Sequence, residues 1–111
     1  MHMTEEINHE IQIYKIDGVL DSNTATTFKK NVAEAILLGK RRMIFDLQNL
    51  EYLSSAGLRV IIQIHKDLKH LKGKVVLCCM ADYIKEIFEI SGLDSFLPIT
   101  ISQDDAHRLF S

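Results

Sequence analysis

A chain of 111 residues, 47% hydrophobic and 25% charged, falls in the size range of one domain that buries an aliphatic core without disulfides or metal, and its composition excludes a disordered tail. Thirteen Lys and Arg against fifteen Asp and Glu leave a net charge of −2, which excludes the basic footprint that nucleic acid or an anionic membrane would require. The two cysteines, Cys78 and Cys79, are neighbours inside an apolar run, where a disulfide would strain a strand, so two small buried side chains are expected. No signal-peptide pattern and no apolar run near the roughly 20 residues that span a bilayer are present, and the expected compartment is a reducing cytoplasm.

In chain order, a short strand is expected around Met3 to Asn8. The segment Glu10 to Ile16, EIQIYKI, sets Ile11 and Ile13 on one face and Gln12 opposite, which predicts a strand with one solvated face. Asp17 and Gly18 mark its end. Beyond LDSNTATTF, Ala25, Phe28, Val32, Ala35 and Ile36 recur at helical spacing until Gly39, with Ser22 or Asn23 as the cap. Arg41 to Leu47 and Lys74 to Met80 are short apolar runs with little alternation, as in central strands covered on both sides. Between them a helix is expected from about Ser55 to Leu71, joined by a right-handed crossover. A third helix, DYIKEIFEIS, would bury Ile84, Ile87 and Phe88 and end at Gly92. FLPITI then reads as an edge strand because Pro98 removes a ladder donor, followed by a short helix from about Asp104. The expectation is one α/β domain over residues 1–111, a mixed sheet of four to five strands with about four helices.

At about 100° per residue, Gly57, Ile61, Ile64, Leu68 and Leu71 of the second helix gather on one side, the expected core side. Ser55, Arg59, Ile62 and Lys66 gather opposite, with Leu58 and Lys69 at the margin, so that Ile62 faces outward where packing does not require it. This outward face begins at a serine. Ser54 suits a helix cap, and Ser55, one position inside, projects its hydroxyl outward. A phosphate there would meet free N–H donors, the positive end of the helix dipole and Arg59. It would add about −1.5 to −2 charges, enough to exclude a partner docked over Ile62 without unfolding the domain.

The stretches GVLDSNTATTF, IFDLQNLEYLSSAGLRVII and EIFEISGLDSFLPI resemble successive signatures of the STAS domain family, in particular its small stand-alone anti-sigma factor antagonists. The similarity covers roughly residues 11–101. It implies a sheet flanked by helices and a serine before the second helix that an anti-sigma factor, itself a serine kinase, phosphorylates with its own ATP. The unphosphorylated antagonist would bind that kinase and free a sigma factor, and a PP2C-type phosphatase would restore it. Carried onto this chain, the acceptor is Ser55, with Ser54 as second choice because it stands where the family most often has aspartate. Ala56 takes the small-residue position, Gly57 the motif glycine, and Asp21 the acidic position of the first motif. The partner contacts expected are Asp21, Ser54, Leu58, Arg59, Ile62 and Lys66. The family also includes adaptors of lipid-transporting ABC systems, stressosome components and partner-switch proteins with a non-sigma output.

Other chemistries lack their residues. Ser-Ser-Ala-Gly is not the Gly-x-Ser-x-Gly elbow of a hydrolase, and His65 falls toward the core side of its helix as a packed residue. His2, His9, His65, His70 and His107 form no i, i+4 pair and the cysteines lack zinc spacing, so no metal site is expected. KGK at Lys72 to Lys74 is not a P-loop, and no cofactor of the chain's own is expected. The basic residues from His65 to Lys74 complement the dipole at the helix end. The chain is therefore expected to be no enzyme, to bind no nucleic acid directly and to insert in no membrane.

Overall fold

The computed structural model describes residues 1–110, which form six strands and four helices. In chain order these are β1 (His2–Asn8), β2 (Ile11–Leu20), α1 (Ser22–Leu37), β3 (Arg42–Asp46), β4 (Leu50–Leu53), α2 (Ser55–His70), β5 (Lys74–Cys78), α3 (Asp82–Ile90), β6 (Ile99–Thr100) and α4 (Gln103–Arg108). The sheet runs β1-β2-β3-β5-β6, with β1 antiparallel to β2 and the remaining pairs parallel. It is the α/β fold expected, and the strand beyond the expected four to five is β4. β3 pairs with the first half of β2, whereas β4 pairs with its end, placing Leu20 opposite Leu53 after a shift of register.

Both faces of the sheet are covered. Tyr14, Ile16, Met43, Phe45, Val75 and Leu77 face α1, α2 and α3, which contribute Phe28, Val32, Ile61, Ile64, Leu68, Ile84 and Phe88 to the main core. Tyr14, Phe28 and Phe45 meet edge to face, with centroids 5.0 to 6.1 Å apart, a geometry that ring quadrupoles favour. On the other face Ile11, Ile13, Ile44, Val76 and Cys78 pack with Ala106 of α4.

Three local expectations change. β2 has no solvated face: Tyr14 and Ile16 lie in the main core, with Gln12 buried on the same side, while Ile11 and Ile13 pack with Ala106 of α4 on the other, so helices remote in sequence cover both sides. Gln12 Nε2 donates to Glu5 Oε2 at 3.0 Å, while its Oε1 is buried without a hydrogen-bond partner. Asp21, rather than Ser22 or Asn23, caps α1: its Oδ1 accepts from the N–H groups of Asn23 and Thr24, and Thr24 Oγ1 accepts from Asp21 N–H at 2.9 Å. This reciprocal pair satisfies donors that a cap one residue later would leave open. Leu71 follows the last turn of α2 as its C-terminal cap and is 41% exposed, outside the core stripe. Among the described residues, no helix is long and apolar enough to cross a membrane.

Candidate functional site at two adjoining helix tips

Because Leu20 and Leu53 are paired on parallel strands, the residues that follow them, Asp21 and Ser54, stand side by side, and each caps a helix. The tips of α1 and α2 are thereby brought together at the carboxyl ends of β2 and β4. Ser54 N–H donates to Leu20 O at 3.0 Å, which ties the second tip to the first strand. Its side chain turns inward, with Oγ accepting from Gly57 N–H at 3.1 Å, while its carbonyl accepts from Leu58 N–H at 2.9 Å.

Gly57 makes this approach possible. A Cβ at that position would lie 2.5 Å from Leu20 O and 3.0 Å from side-chain atoms of both Leu20 and Leu53. The helix can sit against both strand ends only while residue 57 has no side chain.

Ser55, the first residue of α2, is exposed, so the two serines have separate places: Ser54 serves the cap and Ser55 faces solvent. Neither first turn carries an acidic residue. The cap of α1 brings the Asp21 carboxylate to the paired tips, held below the usual carboxylate range chiefly by the Thr24 N–H, with Asn23 N–H and the Thr24 hydroxyl adding to it. Among the described residues no histidine or carboxylate is hydrogen-bonded to either serine hydroxyl, and Ser54 Oγ accepts from Gly57 N–H.

The structure brings Asp21, Ser54, Ser55 and Arg59 to this end. Arg59 is exposed one turn beyond Ser55, and Lys66 is exposed further along the helix. Ile62 is half-buried, and Leu58 packs partly against the main core. Sequence reasoning did not include the α1 side: Ser22, Thr26 and Lys29 face Ala56, Arg59 and Gln63 across a groove of about 260 Å³. Nor did it include two exposed aromatic residues, Tyr52 within β4 and Tyr83 beside it, the latter donating to Leu50 O at 3.2 Å. Tyr52 lies two residues before Ser54, a proximity visible in the sequence. Tyr83 comes from α3, and only the tertiary fold places it there.

A mixed sheet with helices on both faces and a capped serine tip beside its second strand is the architecture of a STAS domain; the STAS model matches residues 2–106, and the chain belongs to that family. Among its relatives, BtrV of Bordetella bronchiseptica, whose name assigns it provisionally to the anti-sigma factor antagonists, is 38% identical over 95 residues, spanning 86% of this chain and 82% of BtrV. A Thermotoga maritima crystal structure named in the same provisional way superposes with a TM-score of 0.91 at 21% identity, covering 96% of this chain and 92% of the other. The Bacillus cell fate determinant SpoIIAA in its phosphorylated form superposes with a TM-score of 0.77 at 18% identity, covering 97% of this chain and 99% of that one. At these identities the two solved structures establish the shared fold.

Proposed function

We propose that the chain is an anti-sigma factor antagonist whose docking is switched by phosphorylation of Ser55. Its partner is an anti-sigma factor with serine kinase activity, and a PP2C-type phosphatase resets it. The γ-phosphoryl group of the kinase's ATP passes to Ser55 Oγ, the hydroxyl proton leaves to a base of the kinase, and ADP departs. The chain supplies only the acceptor and is itself no enzyme.

One observation carries this reading: Ser55 is exposed on a helix tip held fixed from behind, while Ser54 is occupied by the cap. The names of the relatives support the same role. A phosphate at Ser55 would sit among the first-turn N–H donors with Arg59 on the same face, so the domain tolerates it. A protein covering Ser55, Arg59, Ile62 and Lys66 would have to desolvate it.

The test is mass spectrometry after incubation with the cognate kinase and ATP. A single phosphate on Ser55, absent from Ser55→Ala, is expected; modification of Ser54 in the wild type would overturn the assignment. Co-purification with an ABC ATPase instead of a kinase would move the chain to the transport adaptors.

A further inference from the structure

Asp46 ends β3 and Cys78 ends β5, and the two residues are direct partners in the parallel ladder. Both point to the face that α4 covers. The next residue, Cys79, would face the other way if the strand continued, because successive side chains alternate. It does not continue. Cys79 has φ +67°, a left-handed conformation that L-residues other than Asn, Asp and His seldom adopt. As a result both sulfurs and a carboxylate oxygen of Asp46 converge, all within 4.8 Å of one another.

A second observation points to a cation. Asp46 is buried, yet the ion pairs among the described residues are Lys15 with Glu6 and Arg108 with Asp105, neither of which involves it. Among the described residues its oxygens accept from neutral groups: the N–H of Gln48 at 3.0 Å, the side-chain amide of Gln103 at 3.1 Å and the thiol of Cys79. A buried carboxylate without a counter-charge is costly, and a bound cation would remove that cost. Gln103 has the further effect of orienting the carboxylate, as hydrogen-bond partners of metal ligands do.

We propose that Asp46, Cys78 and Cys79 form a binding site for a thiophilic divalent cation, Zn²⁺ by the softness of its donors, with Gln103 as a positioning residue. Two thiolates and one carboxylate give three tetrahedral positions, and the half-buried edge at Cys79 leaves the fourth to water. Sequence spacing pointed away from a metal because adjacent cysteines cannot both face one site from a regular strand; the left-handed residue removes that obstacle, and the third donor comes from another strand.

Uptake by two thiols follows M²⁺ + 2 RSH → M(SR)₂ + 2 H⁺, with both protons leaving to solvent. The site lies across the sheet from α2 and is independent of any role for Ser55.

The experiment titrates the reduced full-length protein with Co²⁺ and follows the sulfur-to-cobalt charge-transfer absorption. One Co²⁺ per chain is expected, displaced by one equivalent of Zn²⁺. Cys79→Ser, at a half-buried position, should weaken binding at least about a hundredfold, and Gln103→Leu about tenfold, within the range for losing a partner that orients a ligand. Circular dichroism of the metal-free variants confirms that they are folded. Absence of the charge-transfer band, an unchanged band in Cys79→Ser, or one metal per two chains would each overturn the site.

Discussion

Gly57 and Leu20 are 37 positions apart in sequence, yet the carbonyl of one fixes the identity of the other. A side chain at residue 57 must push α2 away from both strand ends, because its nearest obstacle is backbone rather than the end of a flexible side chain. Gly57→Val is expected to cost about 3 kcal/mol in urea unfolding, the upper part of the range for overpacking, and an undisturbed midpoint would show that the tip is not held as described. His65 raises a different issue. It is buried, stacks edge to face on Phe96 at 4.8 Å, and its Nε2 has no hydrogen-bond partner. Burial, and then the charges of Lys69 and Lys66, lower its pKa below the ordinary 6.5. The unfolded chain therefore takes up the proton first, so the stability due to neutral His65 is complete above about pH 6.5 and declines as pH falls through that value toward the folded pKa. Thermal melts at pH values on either side of it should show a larger acid-side loss for the wild type than for His65→Gln; equal losses would place the titrating group elsewhere. The inward position of His65 was legible from helical periodicity. Its stacking on Phe96 was not, since that ring arrives from the loop after α3.

At the scale of elements, those with a strong internal pattern were legible: the expected helix from about Ser55 to Leu71 is α2, Ser55–His70, and the apolar runs are β3 and β5. β4 was not, because Glu51 and Tyr52 are both exposed between buried Leu50 and Leu53, a pattern without period two. Its strand character comes from pairing with the end of β2. The cap of α1 was ambiguous for a related reason. Asp21, Ser22 and Asn23 are all good capping residues, and only the reciprocal bond with Thr24 selects the first. Missing β4 concealed the feature that builds the candidate site, the pairing that sets Asp21 beside Ser54. The outward stripe of α2 follows from its period alone, and Ile62, half-buried, is its apolar centre between Ser55 and Lys66. Ile62→Glu is expected to change folding stability by less than about 1 kcal/mol while weakening kinase binding at least about tenfold, or 1.4 kcal/mol. Calorimetric titration against the kinase, with a melt of each variant, separates the two effects. A large fall in melting temperature without loss of affinity would assign Ile62 to the core.

For the whole molecule, the proposed switch requires that one event have a small effect on folding and a large effect on docking. The fold divides these roles in space: the main core holds α2 from behind through Ile61, Ile64 and Leu68, and the exposed Ser55 tip takes no part in it. A negative charge at the start of a helix stabilises it by about 0.3 to 1 kcal/mol, because it faces unpaired N–H groups and the positive end of the dipole. Ser55→Asp should therefore melt at the wild-type temperature or slightly above it. The same charge in an interface loses its hydration, and to remove a partner in practice phosphorylation must weaken binding by about a thousandfold, or roughly 4 kcal/mol. The two effects differ several-fold in magnitude and have opposite signs, so one pair of variants distinguishes them. Ser55→Ala should retain the fold and bind the kinase constitutively, and Ser55→Asp should retain the fold and bind poorly. Equal affinity of the two would defeat an electrostatic switch at this tip, and a destabilised Ser55→Asp would mean that the charge acts on folding rather than on the docking surface.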